Sequence, residues 1–111
     1  MNILVNQEIS VQSKQEYCTM LSKLISNILS KPELYVMIII QDKQTISMSG
    51  NNEPACYIEL KSLGLPEDKT SQFSAEICES VSSLLNISID RIYIEFTNGQ
   101  RHLWGWNGGT F

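Results

Sequence analysis

The rhythm of apolar and polar residues along this chain changes between the period of a strand and that of a helix. Ile3 to Ile9 is a short apolar segment with Ile3, Val5 and Ile9 on one side, which predicts a strand ending near Ser10. Ser13-Lys14-Gln15-Glu16 has the Ser-x-x-Glu spacing of a capping box. Behind it Tyr17, Leu21, Leu24 and Ile28, with Cys18, Ile25 and Leu29, recur at threes and fours, predicting an amphipathic helix that Lys31-Pro32 stops. Tyr35 to Ile40 is continuously apolar, as a strand buried on both faces should be. After a polar stretch with a short Ile46-Ser47-Met48 element and a Gly50-Asn51-Asn52 turn, the succession repeats. Cys56 to Leu60 alternates as a strand, and Gly64 and Pro66 punctuate. Phe73, Ile77, Val81 and Leu84, with Cys78 and Leu85, form a second helical stripe, and Arg91 to Phe96 alternates again.

Strand, helix, strand thus occurs twice, and parallel strands joined by a helix require a right-handed crossover. The economical result is an α/β (α+β) domain: two βαβ repeats forming a four-stranded sheet with two helices on one face, over residues 1–111 as a single unit. Two helices cover only one face, yet Tyr35 to Ile40 reads as apolar on both, so the second face calls for another subunit. Asn98-Gly99 predicts a turn. Trp104-Gly105-Trp106-Asn107-Gly108-Gly109-Thr110-Phe111 sets three large aromatics among three glycines, too costly to leave in water, so this tail is expected to pack against a subunit or a pocket.

Composition narrows the function. With 111 residues there is room for one core, and a net charge of −4 from 12 acidic and 8 scattered basic side chains gives no general reason to hold nucleic acid or an anionic membrane. The longest apolar run is too short to span a bilayer, and the first residues lack the pattern of a signal peptide, so a cytoplasmic protein is expected, with non-classical secretion left open. Cys18, Cys56 and Cys78 are odd in number and far apart, which reads as free thiols and no metal site. His102 is the single histidine, so a two-histidine metal centre is excluded. Asn86-Ile87-Ser88 fits a glycosylation acceptor by chance, and Asp68 and Thr70 read as helix caps. No cofactor is expected.

Several stretches, in order and with near-constant spacing, resemble the macrophage migration inhibitory factor family of the tautomerase superfamily. They are Lys31-Pro32 followed by Tyr35-Val36-Met37, Ser49 to Ala55, Lys61-Ser62-Leu63-Gly64, Asp90-Arg91-Ile92-Tyr93-Ile94, and Trp104 to Phe111. The resemblance implies a homotrimer with active sites at subunit interfaces. It also implies a mature N-terminal proline whose secondary amine, of lowered pKa, moves a proton between carbon and oxygen of an α-keto acid or related enol.

By the same resemblance Lys31 matches a lysine that holds the substrate carboxylate, Leu63 an aliphatic residue whose backbone amide assists, and Tyr93 a tyrosine offered by the neighbouring subunit. Tyr35, Trp106 and Phe111 match an aromatic wall. Two positions depart from the mammalian pattern: Glu95 stands where asparagine is found, and Trp104 replaces a smaller aliphatic residue. A carboxylate near Lys31 would repel an anion or pair with the lysine, and the indole would narrow the mouth. The family's Cys-x-x-Cys is absent around Cys56, which leaves a thiol oxidoreductase role unsupported.

The prolines here are Pro32, Pro54 and Pro66. The alternation of Ile3, Val5 and Ile9 fits best with Met1 in the position of the catalytic proline, whereas placing Asn2 there would turn every side chain of the strand over. Asn2 is also too large for ordinary removal of the initiator, so the expected base is the primary amine of Met1. An unperturbed α-amine has a pKa of roughly 7.7 to 8.0; burial and a nearby Lys31 would push it down.

Each of these residues has a plainer reading beside the functional one. Lys31 suits a helix C-terminus, Tyr93 and Glu95 suit solvent, and Trp106 and Phe111 suit trimer packing, pocket lining or both. Two functions from different classes follow. One is a weak or absent keto-enol (phenylpyruvate-type) tautomerase acting through the Met1 amine on a small α-keto acid or aromatic ligand. The other is a catalytically silent trimer that binds a small anion or a protein. A proline-bearing start upstream of Met1 is a third.

Overall fold

The computed structural model describes residues 1–111. Strand β1 (Asn2–Val5) leads to helix α1 (Val11–Leu29) and strand β2 (Ile39–Gln41), and strand β3 (Cys56–Leu63) to helix α2 (Thr70–Leu85) and strand β4 (Ile92–Gly99). The sheet order is β2-β1-β3-β4, with β1 parallel to β2, β3 parallel to β4, and the two repeats joined by the antiparallel pair β1 and β3. This is the expected pair of βαβ units.

The core lies between the sheet and the helices. Ile3, Val5, Ile58 and Leu60 from the sheet meet Leu21, Ile25, Phe73, Ile77 and Val81 from the helices, all nearly or fully removed from water. Burial of such side chains contributes on the order of 1.5–3 kcal/mol each. Ile3 and Val5 both point to the helices, so the register expected for β1 is the one adopted.

Local expectations fare unevenly. Helix α1 begins one turn earlier than the Ser13 capping box implied: the Ser10 hydroxyl accepts from the Ser13 amide at 3.1 Å, so Ser13 occupies the third position of the cap motif and not the cap itself. Strand β1 stops at Val5, short of Ile9, whose amide instead donates to Asp42 Oδ2 at 2.9 Å. Neither Asp68 nor Thr70 caps α2; Lys69 is the cap residue, without a side-chain bond, and the Thr70 hydroxyl donates back to the Glu67 carbonyl at 3.1 Å.

The segment Tyr35 to Ile40 is not a strand throughout. Glu33–Tyr35 forms a 3₁₀ turn, and beyond it Val36, Ile38 and Ile40 pack on the core while Met37 and Ile39 are exposed. Asn98-Gly99 does not turn either. Strand β4 runs through both, the Asn98 amide oxygen accepting from the Leu65 amide at 3.0 Å, and the chain reverses only at the 3₁₀ turn Arg101–Leu103. The tail then folds on itself as a hairpin of β5 (Gly105–Trp106) and β6 (Gly109–Thr110), with Asn107 and Gly108 at positive φ of 52° and 79°.

Arg91, nearly buried, organises the loop before β3. Its guanidinium donates to the carbonyls of Pro54, Met48 and Glu53 at 2.8, 3.1 and 2.9 Å. No helix is long and apolar enough to cross a membrane.

Candidate functional site

One end of the sheet gathers most of the residues singled out by sequence. The C-terminal residue of α1 is followed by Ser30 at φ 52°, a left-handed cap that turns the chain out so that Lys31 extends across to β3, where its ammonium donates to the Leu63 carbonyl. Burial lowers the Lys31 pKa, and the positive charge of Arg101 lowers it further. Four residues on from Lys31, Tyr35 meets the tail hairpin edge to face: its ring centroid lies 5.5 Å from Trp106 and 5.8 Å from Phe111. Trp106 and Phe111 are themselves stacked at 5.5 Å. The tail therefore packs against its own subunit through Tyr35.

Trp104 packs on the end of β4. Its indole covers Gly99, where an added Cβ would lie 2.8 Å from two ring carbons and 3.0 Å from Leu63 Cδ2. The ring thus fills a niche that only a glycine opposite it leaves open, and its carbonyl accepts from the Phe111 amide at 3.2 Å. Lys31, Leu63, Trp104, Trp106, Phe111 and Tyr35 form one connected cluster.

Met1 is bonded to the segment that follows Tyr35, at Met37. The terminal amine donates to the Met37 carbonyl at 2.6 Å, and the Met1 carbonyl accepts from the Ile39 amide at 2.9 Å, so the amine is fixed in place by β2. Its pKa is lowered by burial. The like charge of Lys31, expected to add to that effect, plays no part in it.

Glu95, Asn2 and Tyr93 stand apart. Glu95 pairs in register with Glu59, four residues before Gly99 and hence roughly 13 Å along the strand from Lys31's anchor. Within the protomer it neither repels nor pairs with the lysine; it accepts from the Tyr57 hydroxyl, which is thereby pushed up to about 12. Asn2 donates to Glu59 at 3.2 Å and accepts from Gln41 at 2.8 Å, part of a polar ladder on the helix-free face of the sheet. Tyr93 is 65 % exposed on β4, the strand at the far edge from β2.

Arg101 is the residue that sequence reading missed. A lone arginine after a strand carries no pattern; the pairing of Leu63 with Gly99 is what brings the turn bearing Arg101 up to Lys31. No group of His, Cys, Asp and Glu side chains is placed to hold a metal ion, and the three cysteines are free thiols, Cys56 with its pKa pushed up to about 12 by burial and by Cys78.

Comparison with known proteins agrees with this architecture. The family described as macrophage migration inhibitory factor matches residues 2–111. A macrophage migration inhibitory factor homolog of Trichinella spiralis is 35% identical over 97 residues, covering 86% of this chain and 85% of that protein. The mouse macrophage migration inhibitory factor is 29% identical over 110 residues, covering 97% and 96%. Among solved structures, the homologue from Prochlorococcus marinus superposes with a TM-score of 0.91 at 39% identity, over 99% of this chain and 96% of that one. The Trichinella spiralis protein gives 0.88 at 30%, over 99% and 97%.

Proposed function

The chain belongs to the macrophage migration inhibitory factor family, within the tautomerase superfamily, and from that premise we propose that it is a weak keto-enol tautomerase of phenylpyruvate type. The observation that carries this reading is the Met1 amine, partly desolvated and held by the Met37 carbonyl. A base must be uncharged to take a carbon-bound proton, and burial raises the uncharged fraction near neutral pH. Lys31 would receive the substrate carboxylate, Leu63 would assist through its backbone, and Tyr35, Trp106 and Phe111 would flank the enol's apolar part. A primary amine on a flexible methionine is a less constrained base than a ring nitrogen, so the rate is low.

The site is completed in a homotrimer, in which Tyr93 of one subunit reaches the Met1 amine of the next. Supporting this, Tyr93 lies at the opposite edge of the sheet from β2 and is free to be shared. The second reading, a silent anion-binding trimer, keeps Lys31 and the aromatic cluster and dispenses with the base.

A phenylpyruvate enol-keto assay separates the two. The expected result is a slow rate above the buffer blank, rising with pH through a value below the roughly 8 of a free α-amine. Inserting a proline between Met1 and Asn2 is expected to raise that rate well over tenfold once intact mass shows the methionine removed. No rate in either protein overturns the tautomerase reading.

A further inference from the structure

Within the protomer, Lys31 and Arg101 are near enough for the charge of one to act on the other, and neither is in an ion pair. The chain carries 12 acidic and 8 basic side chains, and its ion pairs are Lys14 with Asp42, Lys43 with Glu8 and Lys61 with Glu59; none involves Lys31 or Arg101. Lys31 finds only a neutral carbonyl, that of Leu63. In an acidic chain, two like charges brought towards each other by the β3–β4 register, with no carboxylate of the same protomer paired to either, are an electrostatic cost that a bound anion would lessen. Glu95, the acidic residue of β4, accepts from Tyr57 and lies roughly 13 Å along the strand.

The two cations differ in depth. Lys31 is half-buried beside Leu63, whereas Arg101 is exposed at the start of the turn leading to the aromatic tail. A ligand carboxylate on Lys31 with its apolar body along Trp106 and Phe111 would point its far end outwards, past Arg101. A guanidinium there presents a planar fork matched to a second carboxylate.

We propose that Arg101 is a specificity-determining residue, and that the site takes α-keto acids bearing a second, distal carboxylate in preference to monoacids of the same shape. This rests on the pocket reading above, and its test is a binding measurement, so that it stands or falls apart from the rate.

The matched probes are phenylpyruvate and its para-carboxy derivative, titrated at low ionic strength against the full-length protein and followed by the fluorescence of Trp104 and Trp106. The wild type is expected to bind the diacid about tenfold more tightly, with the preference shrinking as salt rises. Arg101→Gln is expected to abolish the preference while leaving phenylpyruvate binding within about twofold, and Lys31→Met to weaken both ligands. Arg101 donates no hydrogen bond within the protomer, and far-ultraviolet circular dichroism of Arg101→Gln checks that the fold is kept. Equal binding of the two acids by the wild type, or a preference that survives Arg101→Gln, overturns the proposal. A diacid preference without any tautomerase rate leaves it standing and removes the enzyme reading alone.

Discussion

At the scale of single residues, the candidate site depends on side chains that replace one another's missing atoms. Gly99 has an ordinary backbone, so its role is not conformational; it is the one position where β4 leaves room for the Trp104 ring. Gly99→Ala would put a methyl group 2.8 Å from the indole and 3.0 Å from Leu63, with rigid groups on both sides. Overpacking of this kind costs about 1–3 kcal/mol. Thermal melts are expected to show that loss for Gly99→Ala, and the double variant Gly99→Ala with Trp104→Val should recover most of it. If the two losses simply add, the indole does not sit on Gly99. Sequence pattern could name Lys31, Tyr35, Trp106 and Phe111 because they lie in motifs of fixed spacing. It could not show where the Trp104 ring rests, because the glycine that receives it is identified only by the fold. Within the protomer, the distance of Glu95 from Lys31 depends on which residues of β3 face which of β4, a pairing that no sequence motif carries.

Elements are joined by polar side chains whose partners are distant in sequence, and these were the least legible. Asp42 accepts from the Ile9 amide at 2.9 Å and from Lys14 at 3.1 Å, tying the β1–α1 connection and the first turn of α1 to the end of β2. Those two bonds, backbone first, hold its carboxyl below the usual range. A carboxyl whose folded pKa is depressed contributes stability above its unfolded value, roughly 3.9, and that contribution is lost as pH falls through the folded value. Asp42→Asn is therefore expected to lower Tm at pH 7 and to change it little in acid well below pH 3. An equal shift at both pH values would mean that the carboxylate charge contributes nothing. The periodicity of Leu21, Ile25, Phe73, Ile77 and Val81 gave both helices their faces, because burial against one layer leaves a period of 3.6. Helix starts were less readable: Ser10 and Ser13 are spaced alike from later polar residues, and only the chain's exit from β1 decides which one caps.

The whole molecule is a slab of one sheet layer and one helix layer, 42 × 32 × 22 Å, and a slab exposes what a sphere would hide. Its radius of gyration of 14.4 Å exceeds the roughly 13 Å expected at this length, and its surface of 6936 Å² exceeds the roughly 6,200 Å² typical of this mass. Part of what is exposed is apolar and belongs to the sheet or the segment leading into it. Met37 is 71 % exposed, Ile39 44 % and Tyr93 65 %. Exposed apolar side chains at both edges of the sheet are what contacts between copies would cover. Light scattering is expected to give three times the 12.6 kDa of the chain. Ile39→Lys tests the assignment without touching the core, since Ile39 points away from the helices, whereas its neighbours Ile38 and Ile40 pack against them. That variant should keep its circular dichroism, fall to a 12.6 kDa species and lose whatever phenylpyruvate rate the wild type has, because Tyr93 would no longer reach a foreign Met1. A folded monomer with undiminished rate would place the whole pocket inside one protomer, and the bare sheet face would then need another explanation.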